Sequence, residues 1–175
     1  DTDLNELEEL VAEFVPEEFN KKQMILEAGE NSDTFRFVCK GLVRVYYIKE
    51  EKEINHWFIK ENMILVPAYA ILTGKTNMMN FKTIEKTYVL KIKYSVMESY
   101  YYKYNSLSHL GRKLVEMYFG SFMVKTFNIM FLSADERYTL FMNENADLAT
   151  RVPLQYIASY LGLQQETLSR LRAKY

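Results

Sequence analysis

The chain has 175 residues, of which 49% are hydrophobic and 15% aromatic, and its 22 basic and 23 acidic side chains give a net charge of −1. Length and apolar content suffice for one or two globular domains without metal or disulfide support. The single cysteine, Cys39, excludes an internal disulfide, and no apolar run reaches the roughly eighteen residues of a membrane span. We therefore expect a soluble, cytoplasmic protein with no membrane contact, and because its first residue is Asp rather than Met, we expect a few residues to precede it naturally.

The first thirty residues are strongly acidic, with ten carboxylates against two lysines and a net charge of −8. Apolar residues recur there at helical spacing, namely Leu4, Leu7, Leu10, Val11 and Phe14. This pattern predicts an amphipathic helix that packs on the following domain and ends at Pro16. Its charge repels polyanions, so we expect it to lie away from any nucleic acid.

Short β-rich runs alternate with turn residues between Phe19 and Ile92. Six of these runs predict strands: Met24 to Leu26, Phe35 to Val38, Leu42 to Ile48, Ile54 to Ile59, Phe81 to Ile84, and Tyr88 to Ile92. Several short strands with regular turn signals predict an antiparallel β-roll or barrel.

A long helix is predicted between residues 99 and 133, and its apolar residues surround it almost completely. One stripe, which we expect at a dimer interface, contains Leu107, Leu110, Leu114, Met117, Tyr118 and Ser121. The opposite face carries Val115, Phe119, Phe122, Phe127 and Ile129. A helix that is apolar all round must be covered on two sides, so we expect one side to pack on the chain's own strands and the other on a second copy. An ordinary core helix is the alternative.

Ser133 and Glu136 have the spacing of a capping box and predict a helix start there. A boundary at this point divides the chain into residues 1–98, 99–133 and 134–175. We expect the hinge between a sensing part and the last domain to lie between Ser133 and Asp135.

Residues 154 to 173 predict a helix-turn-helix, with Gly162 where two helices meeting at a steep angle need a positive φ. Apolar or small residues form the inner faces at Ile157, Ala158, Leu161, Leu163, Leu168 and Leu171. Polar residues face outward from the second helix at Gln165, Glu166, Ser169 and Arg170. These side-chain types hydrogen-bond to base edges in the major groove. From Arg151 to Tyr175 there are four basic residues and one acidic residue, a net charge of +3 that suits a phosphate-binding surface.

Two motifs carry a family resemblance over nearly the whole chain. Arg151 to Leu163, followed by Glu166-Thr167-Leu168-Ser169-Arg170, resembles the DNA-binding end of the Crp/Fnr family of transcription regulators. Gly29-Glu30 and Lys40 to Tyr46 resemble the turn and strand signature of the cyclic-nucleotide-binding β-roll. The resemblance implies an α+β fold with an N-terminal antiparallel β-roll, a long dimerisation helix and a C-terminal helix-turn-helix domain.

The same resemblance implies a homodimer that binds a near-palindromic DNA site with TTGA-like half-sites. It places base contacts at Glu166, Ser169 and Arg170 and a phosphate contact at Thr167, and Gln165 and Arg172 complete the predicted DNA-binding set. It also includes RNA polymerase among the partners and leaves a small-molecule effector open.

The sequence contains few residues that match the effector-binding sites of the family. Leu65 to Phe81, where cyclic-nucleotide members carry a Glu and an Arg, contains neither, and Lys75 stands in a predicted exposed turn. One cysteine cannot hold an iron–sulfur cluster, and His56 and His109 are isolated. We therefore expect no metal or cofactor. A small apolar ligand in a pocket lined by Trp57, Phe58, Tyr69 and Met78 stays open, with plain core packing as the alternative.

The sequence contains no recognisable Ser-His-Asp set, phosphate-binding glycine loop, pair of carboxylates in a plausible cleft, or His-Glu-x-x-His motif, so we do not expect an enzyme. A ligand-binding or protein-interaction module with a degenerate helix-turn-helix is the alternative function. The sequence after Arg170 is too short for the β-hairpin wing of winged helix-turn-helix domains, which leaves open a wingless protein or a shortened chain.

Overall fold

The computed structural model describes residues 3–174, so Asp1, Thr2 and Tyr175 lie outside it. Within these residues the chain is α+β and forms two compact units. The first unit comprises the residues up to Val45 together with Phe58–Tyr118. The second comprises Tyr46–Trp57 and the residues from Phe119 onward.

Seven helices and eight strands are assigned between residues 3 and 174. The helices are α1 (Leu4–Ala12), α2 (Ala68–Thr73), α3 (Tyr94–Lys103), α4 (Asn105–Phe131), α5 (Ala134–Arg151), α6 (Leu154–Tyr160) and α7 (Gln165–Lys174). The strands are β1 (Val15–Phe19), β2 (Met24–Leu26), β3 (Thr34–Lys40), β4 (Val43–Lys49), β5 (Lys52–Ile59), β6 (Ile64–Leu65), β7 (Asn80–Thr83) and β8 (Thr87–Lys93).

The strands form two four-stranded sheets, in the orders β1-β8-β3-β6 and β2-β7-β4-β5. Strand β8 pairs antiparallel with both β1 and β3, and β2 pairs antiparallel with β7. All six predicted strands are confirmed, with ends that agree to within two residues. Strands β1 and β6 were not predicted. Strand β1 contains Pro16 and two glutamates, a composition that is unfavourable in a central strand, and the proline is accepted because β1 lies at the edge of its sheet. Strand β6 has only two residues, too few to give a sequence pattern.

The acidic helix α1 packs on the first unit, as its periodicity predicted. Its Leu10 is buried in one cluster with Ile92, Met97 and Leu107. The helix ends at Ala12 and not at Pro16, because the chain must turn before Pro16 enters strand β1.

Helices α3 and α4 divide the region that the sequence predicts as one helix. Tyr104 between them has extended angles, with φ −130° and ψ 114°, and α4 starts at Asn105. The capping box at the start of α5 is confirmed: the Ser133 hydroxyl accepts from the Glu136 N–H at 3.3 Å, and the Glu136 carboxylate accepts from the Ser133 N–H at 2.8 Å. The Ser133 hydroxyl also donates to the Glu136 carboxylate at 2.7 Å, and this bond, with the one from the Ser133 N–H, lowers the pKa of Glu136.

A two-residue turn joins β4 and β5, and both of its residues have left-handed φ angles, +51° at Glu50 and +63° at Glu51. Two positive φ angles are the mark of the type I′ hairpin turn, which Asn-Gly usually supplies. The two glutamates adopt it at a conformational cost of about 1 kcal/mol or more each.

Candidate nucleic-acid interface

Helices α6 and α7 pack against each other through the residues that the sequence assigned to their inner faces. Ile157, Ala158 and Leu161 are buried on α6 and its end, and Leu168 on α7 has no exposed surface at all. The helix-turn-helix core is therefore confirmed, and it leaves the opposite face of α7 to solvent.

The turn between the two helices is a Schellman motif centred on Gly162. Gly162 has φ +68°, its N–H donates to the Ser159 carbonyl at 3.1 Å, and the Leu163 N–H donates to the Ala158 carbonyl at 2.9 Å. A Cβ at this position would meet no atom within 4 Å, so the turn requires glycine for its backbone angle and not for space.

The predicted DNA-binding side chains lie together on α7. Thr167 is half-buried, and the others are exposed: Gln165, Glu166, Ser169, Arg170 and Arg172. Glu166 is three residues before Ser169 and four before Arg170, so these three share one helix face. The donors and acceptors of these exposed side chains can hydrogen-bond to base edges. All three lie on a single helix, and the major groove is wide enough to admit one α-helix.

The positive charge around α7 is smaller than the sequence indicates, because two of its four cations are paired. Lys174 contacts Asp135 at 3.2 Å, and Arg151 contacts Asp147 at 3.9 Å. Among residues 3–174, neither Arg170 nor Arg172 forms an ion pair. Asp135 precedes Lys174 by 39 residues, so sequence spacing gave no sign of this pair.

In the β-roll segment of residues 65–81, two buried asparagines hydrogen-bond to the backbone of residues 27 and 28. The buried Asn80 side chain accepts from the Ala28 N–H at 3.0 Å, and the buried Asn77 side chain donates to the Glu27 carbonyl at 3.3 Å. Lys75 is exposed in the turn after α2, as predicted. Of the residues suggested to line an apolar pocket, Met78 is 58% exposed and Tyr69 is also exposed, so the suggestion was wrong for these two, since both side chains lie at the surface.

No group of three or more His, Cys, Asp or Glu side chains between residues 3 and 174 is arranged to hold a metal ion. His56 and His109 are far apart in the sequence, and they lie in different units of the described chain. No helix of residues 3–174 is long and apolar enough to cross a membrane.

One face of α4 is apolar and exposed. Val115, Phe119, Phe122 and Ile129 follow one another at intervals of four, three and seven residues, which is heptad spacing. Further exposed apolar side chains on α4 are Met117, Val124, Phe127, Met130 and Phe131. Monomeric proteins rarely expose so many contiguous apolar side chains, so this face is a candidate contact surface.

The stripe predicted at the dimer interface lies partly against the chain itself. Leu107 is 0% exposed and packs in the cluster with α1, so it has no surface left for a second copy. The Tyr118 hydroxyl accepts from the Ile64 N–H at 2.8 Å within the first unit. Met117 and Ser121 are exposed, while Leu110 and Leu114 are half-buried.

No family model and no curated protein sequence matches the chain, but solved structures do. FixK2 from Bradyrhizobium japonicum superposes with a TM-score of 0.78 at 21% identity, covering 92% of this chain and 83% of that one. A protein described as a transcriptional regulator of the crp/fnr family, from Eubacterium rectale, gives 0.75 at 15% identity, with coverages of 99% and 83%. The chain has the Crp/Fnr fold.

A third structure supports the same assignment. The c-di-GMP-responsive global regulator CLP from Xanthomonas campestris gives a TM-score of 0.73 at 15% identity and covers 98% of this chain and 91% of that one. The Crp/Fnr fold thus extends over β-roll, long helix and helix-turn-helix together. The fold that the sequence resemblance implied is confirmed.

Proposed function

We propose that the protein is a DNA-binding transcription regulator of the Crp/Fnr type. The observation that carries the proposal is the combination on α7 of a buried inner face and an exposed face with Glu166, Ser169 and Arg170 one turn apart. A degenerate helix-turn-helix that had turned to protein contacts would not need this base-reading set. The fold neighbours, which are regulators, support the same conclusion.

Each side chain has a role that its chemistry suits. Arg170 would donate two hydrogen bonds to O6 and N7 of guanine, and Glu166 would accept from the amino group of cytosine. Ser169 would bond to a neighbouring base edge. Thr167, Gln165 and Arg172 would contact phosphates or adjoining bases and fix the register of α7 along the groove. The resemblance of Glu166-Thr167-Leu168-Ser169-Arg170 to the Crp/Fnr recognition helix implies that the half-site is TTGA-like.

We further propose that two copies bind a near-palindromic site as a homodimer. The exposed apolar face of α4 supports this, because a heptad seam on one helix is complementary to its own copy in a two-fold arrangement. The interface would then centre on Val115, Phe119, Phe122 and Ile129, together with Met117. A two-fold dimer places two recognition helices about 34 Å apart, one turn of DNA.

The regulator would not use a cyclic nucleotide, because the matching segment offers only the exposed Lys75 to a phosphate that needs a buried cation. The contacts that support the proposal do not involve RNA polymerase or a small-molecule effector.

The first test is selection of bound sequences from a random duplex library by the purified protein without added ligand. We expect an inverted repeat with a TTGA-like half, and an affinity that falls steeply with salt because phosphates are contacted. A protein-interaction module would enrich no sequence.

Arg170→Ala should weaken binding to the selected site by about 1 to 3 kcal/mol, roughly 5- to 150-fold, and relax selectivity at one base pair. Binding to scrambled duplex should change much less. Arg172→Ala, on the same helix, is the matched comparison and should weaken all sequences about equally with a lower salt slope. Equal losses on specific and scrambled DNA for Arg170→Ala would show that this arginine is only a phosphate contact.

A further inference from the structure

Lys125, in the C-terminal half of α4, holds an unusual position in the second unit. Its Nζ donates to the backbone carbonyl of His56 on β5. The same Nζ lies 5.4 Å from the ring centroid of Trp57 on β5 and 3.9 Å from that of Tyr160 on α6. Both distances are within cation–π range. One ammonium group therefore joins α4 and β5 to the first helix of the helix-turn-helix.

Hydrogen bonds strengthen the same junction between α6 and β5. The Asn55 N–H donates to the Ser159 hydroxyl at 2.9 Å, and that hydroxyl donates to the Glu53 carbonyl at 3.2 Å. The Tyr160 ring also packs on Phe141 of α5, with centroids 5.9 Å apart. We call the contacts of Lys125 with His56, Trp57 and Tyr160, together with those of Ser159 with residues 53–55, the Lys125 seam.

The Lys125 seam is poorly suited to serve stability alone. Lys125 is largely buried, and no carboxylate of residues 3–174 forms an ion pair with it. Asn55 is 3% exposed, and both polar atoms of its side chain lack a hydrogen-bond partner in the described chain. Buried polar groups without full compensation cost free energy. Apolar residues of the same volume would stabilise the contact between α6 and β5 more, so we infer that the charge of Lys125 has a role other than stability.

We propose that Lys125 is a positioning residue for DNA recognition, whose charged side chain holds α6, and through the Gly162 turn α7, in the orientation that reaches the groove. The inference rests on the proposed function. It makes DNA recognition dependent on the charge of a residue that touches no DNA.

The charge of Lys125 changes in the physiological range, because burial lowers its pKa to about 7. Its neighbours do not titrate there. Desolvation and the charge of Lys125 lower the pKa of His56 on β5 to about 4, while burial, with Glu144 of α5, raises the pKa of Tyr160 on α6 to about 12. Between residues 121 and 129 of α4, Lys125 is the only titratable group. The seam is therefore charged below pH 7 and neutral above it, and the orienting contacts weaken as the pH rises.

The test compares specific DNA binding of the full chain between pH 6 and pH 8.5 at constant salt. At pH 6 the wild type should bind about tenfold more tightly than Lys125→Met, which has similar volume and no charge. At pH 8.5 the two should agree within about twofold, because the wild-type lysine is then neutral. Lys125→Arg, which stays charged, should lose this part of the pH dependence. His109→Gln, on the same helix outside the seam, should follow the wild type.

The single tryptophan gives a second readout that needs no DNA. Trp57 emission should change with a midpoint near pH 7 in the wild type, because the cation beside the indole is lost, and the change should be absent from Lys125→Met. Tyr160→Phe keeps the ring that faces Lys125 and should retain wild-type binding at pH 6, whereas Tyr160→Leu should lose it.

The outcomes separate the two proposals. A flat Trp57 emission between pH 6 and pH 8.5 would overturn the charge change in the seam. A transition in emission with no difference in DNA binding between wild type and Lys125→Met would overturn the positioning role. A chain that shows the Trp57 transition but selects no DNA sequence at pH 6 would overturn the proposed function, and the positioning role with it.

Discussion

Phe119→Glu is expected to dissociate the proposed homodimer and reduce specific DNA binding more than about 100-fold. Phe119 is 62% exposed on the apolar face of α4, so the fold of one chain does not depend on its burial. In a two-fold dimer the two new carboxylates would face each other in a dehydrated seam, where neither has a partner. Each monomer would then bind a single half-site and lose the gain from holding two at once.

Sedimentation equilibrium and binding to the selected site measure both effects. Leu72→Glu is the matched control, because Leu72 is 83% exposed on α2 and lies outside α4. It should remain dimeric and bind normally. A Phe119→Glu protein that sediments as a dimer would place the interface elsewhere on the chain.

Gly41→Ala should destabilise the first unit by about 4 kcal/mol or prevent its folding. Gly41 stands between β3 and β4 with φ +109°, which an L side chain rarely adopts. A Cβ there would lie 2.6 Å from the Lys86 carbonyl oxygen and 2.7 Å from Thr87 Cα, and backbone atoms cannot move aside cheaply. Backbone strain and overpacking therefore add.

Gly74→Ala separates the two contributions. Gly74 ends α2 with φ +67°, yet nothing lies within 4 Å of where its Cβ would be. This variant should lose only about 1 kcal/mol, the cost of the left-handed angle. Urea unfolding of the three proteins followed by circular dichroism measures the difference. Equal losses in the two variants would mean that the strand β8 backbone shifts to admit the extra carbon at residue 41.

The features that the sequence predicted well are local ones. The Gly162 turn, the capping box at Ser133 and the six strands depend on residues within a few positions of each other, and all three are confirmed. Strand β1 was not predicted because Pro16 and two glutamates are unfavourable in strands, whereas its antiparallel pairing with β8 depends on residues far away in the sequence.

What depends on distant parts of the chain could not be predicted. Both faces of α4 are apolar, so periodicity alone could not tell that Leu107 is covered by α1 while Phe119 is exposed. Two sets of contacts join residues that are 35 or more positions apart: the ion pair of Lys174 with Asp135, and the contacts of Lys125 with Trp57 and Tyr160. The DNA-reading roles of the α7 residues and the dimer interface stay predictions.

The turn at Glu50 and Glu51 bears on the order in which the chain folds. Neither residue favours the left-handed angles that the hairpin requires, so β4 and β5 receive no help from their own connection. Residues 43–59 as an isolated peptide should remain unstructured. In the whole protein the hairpin is expected to form late, after the helices that it contacts in the second unit have folded, so that Trp57 becomes a reporter of the last step of folding.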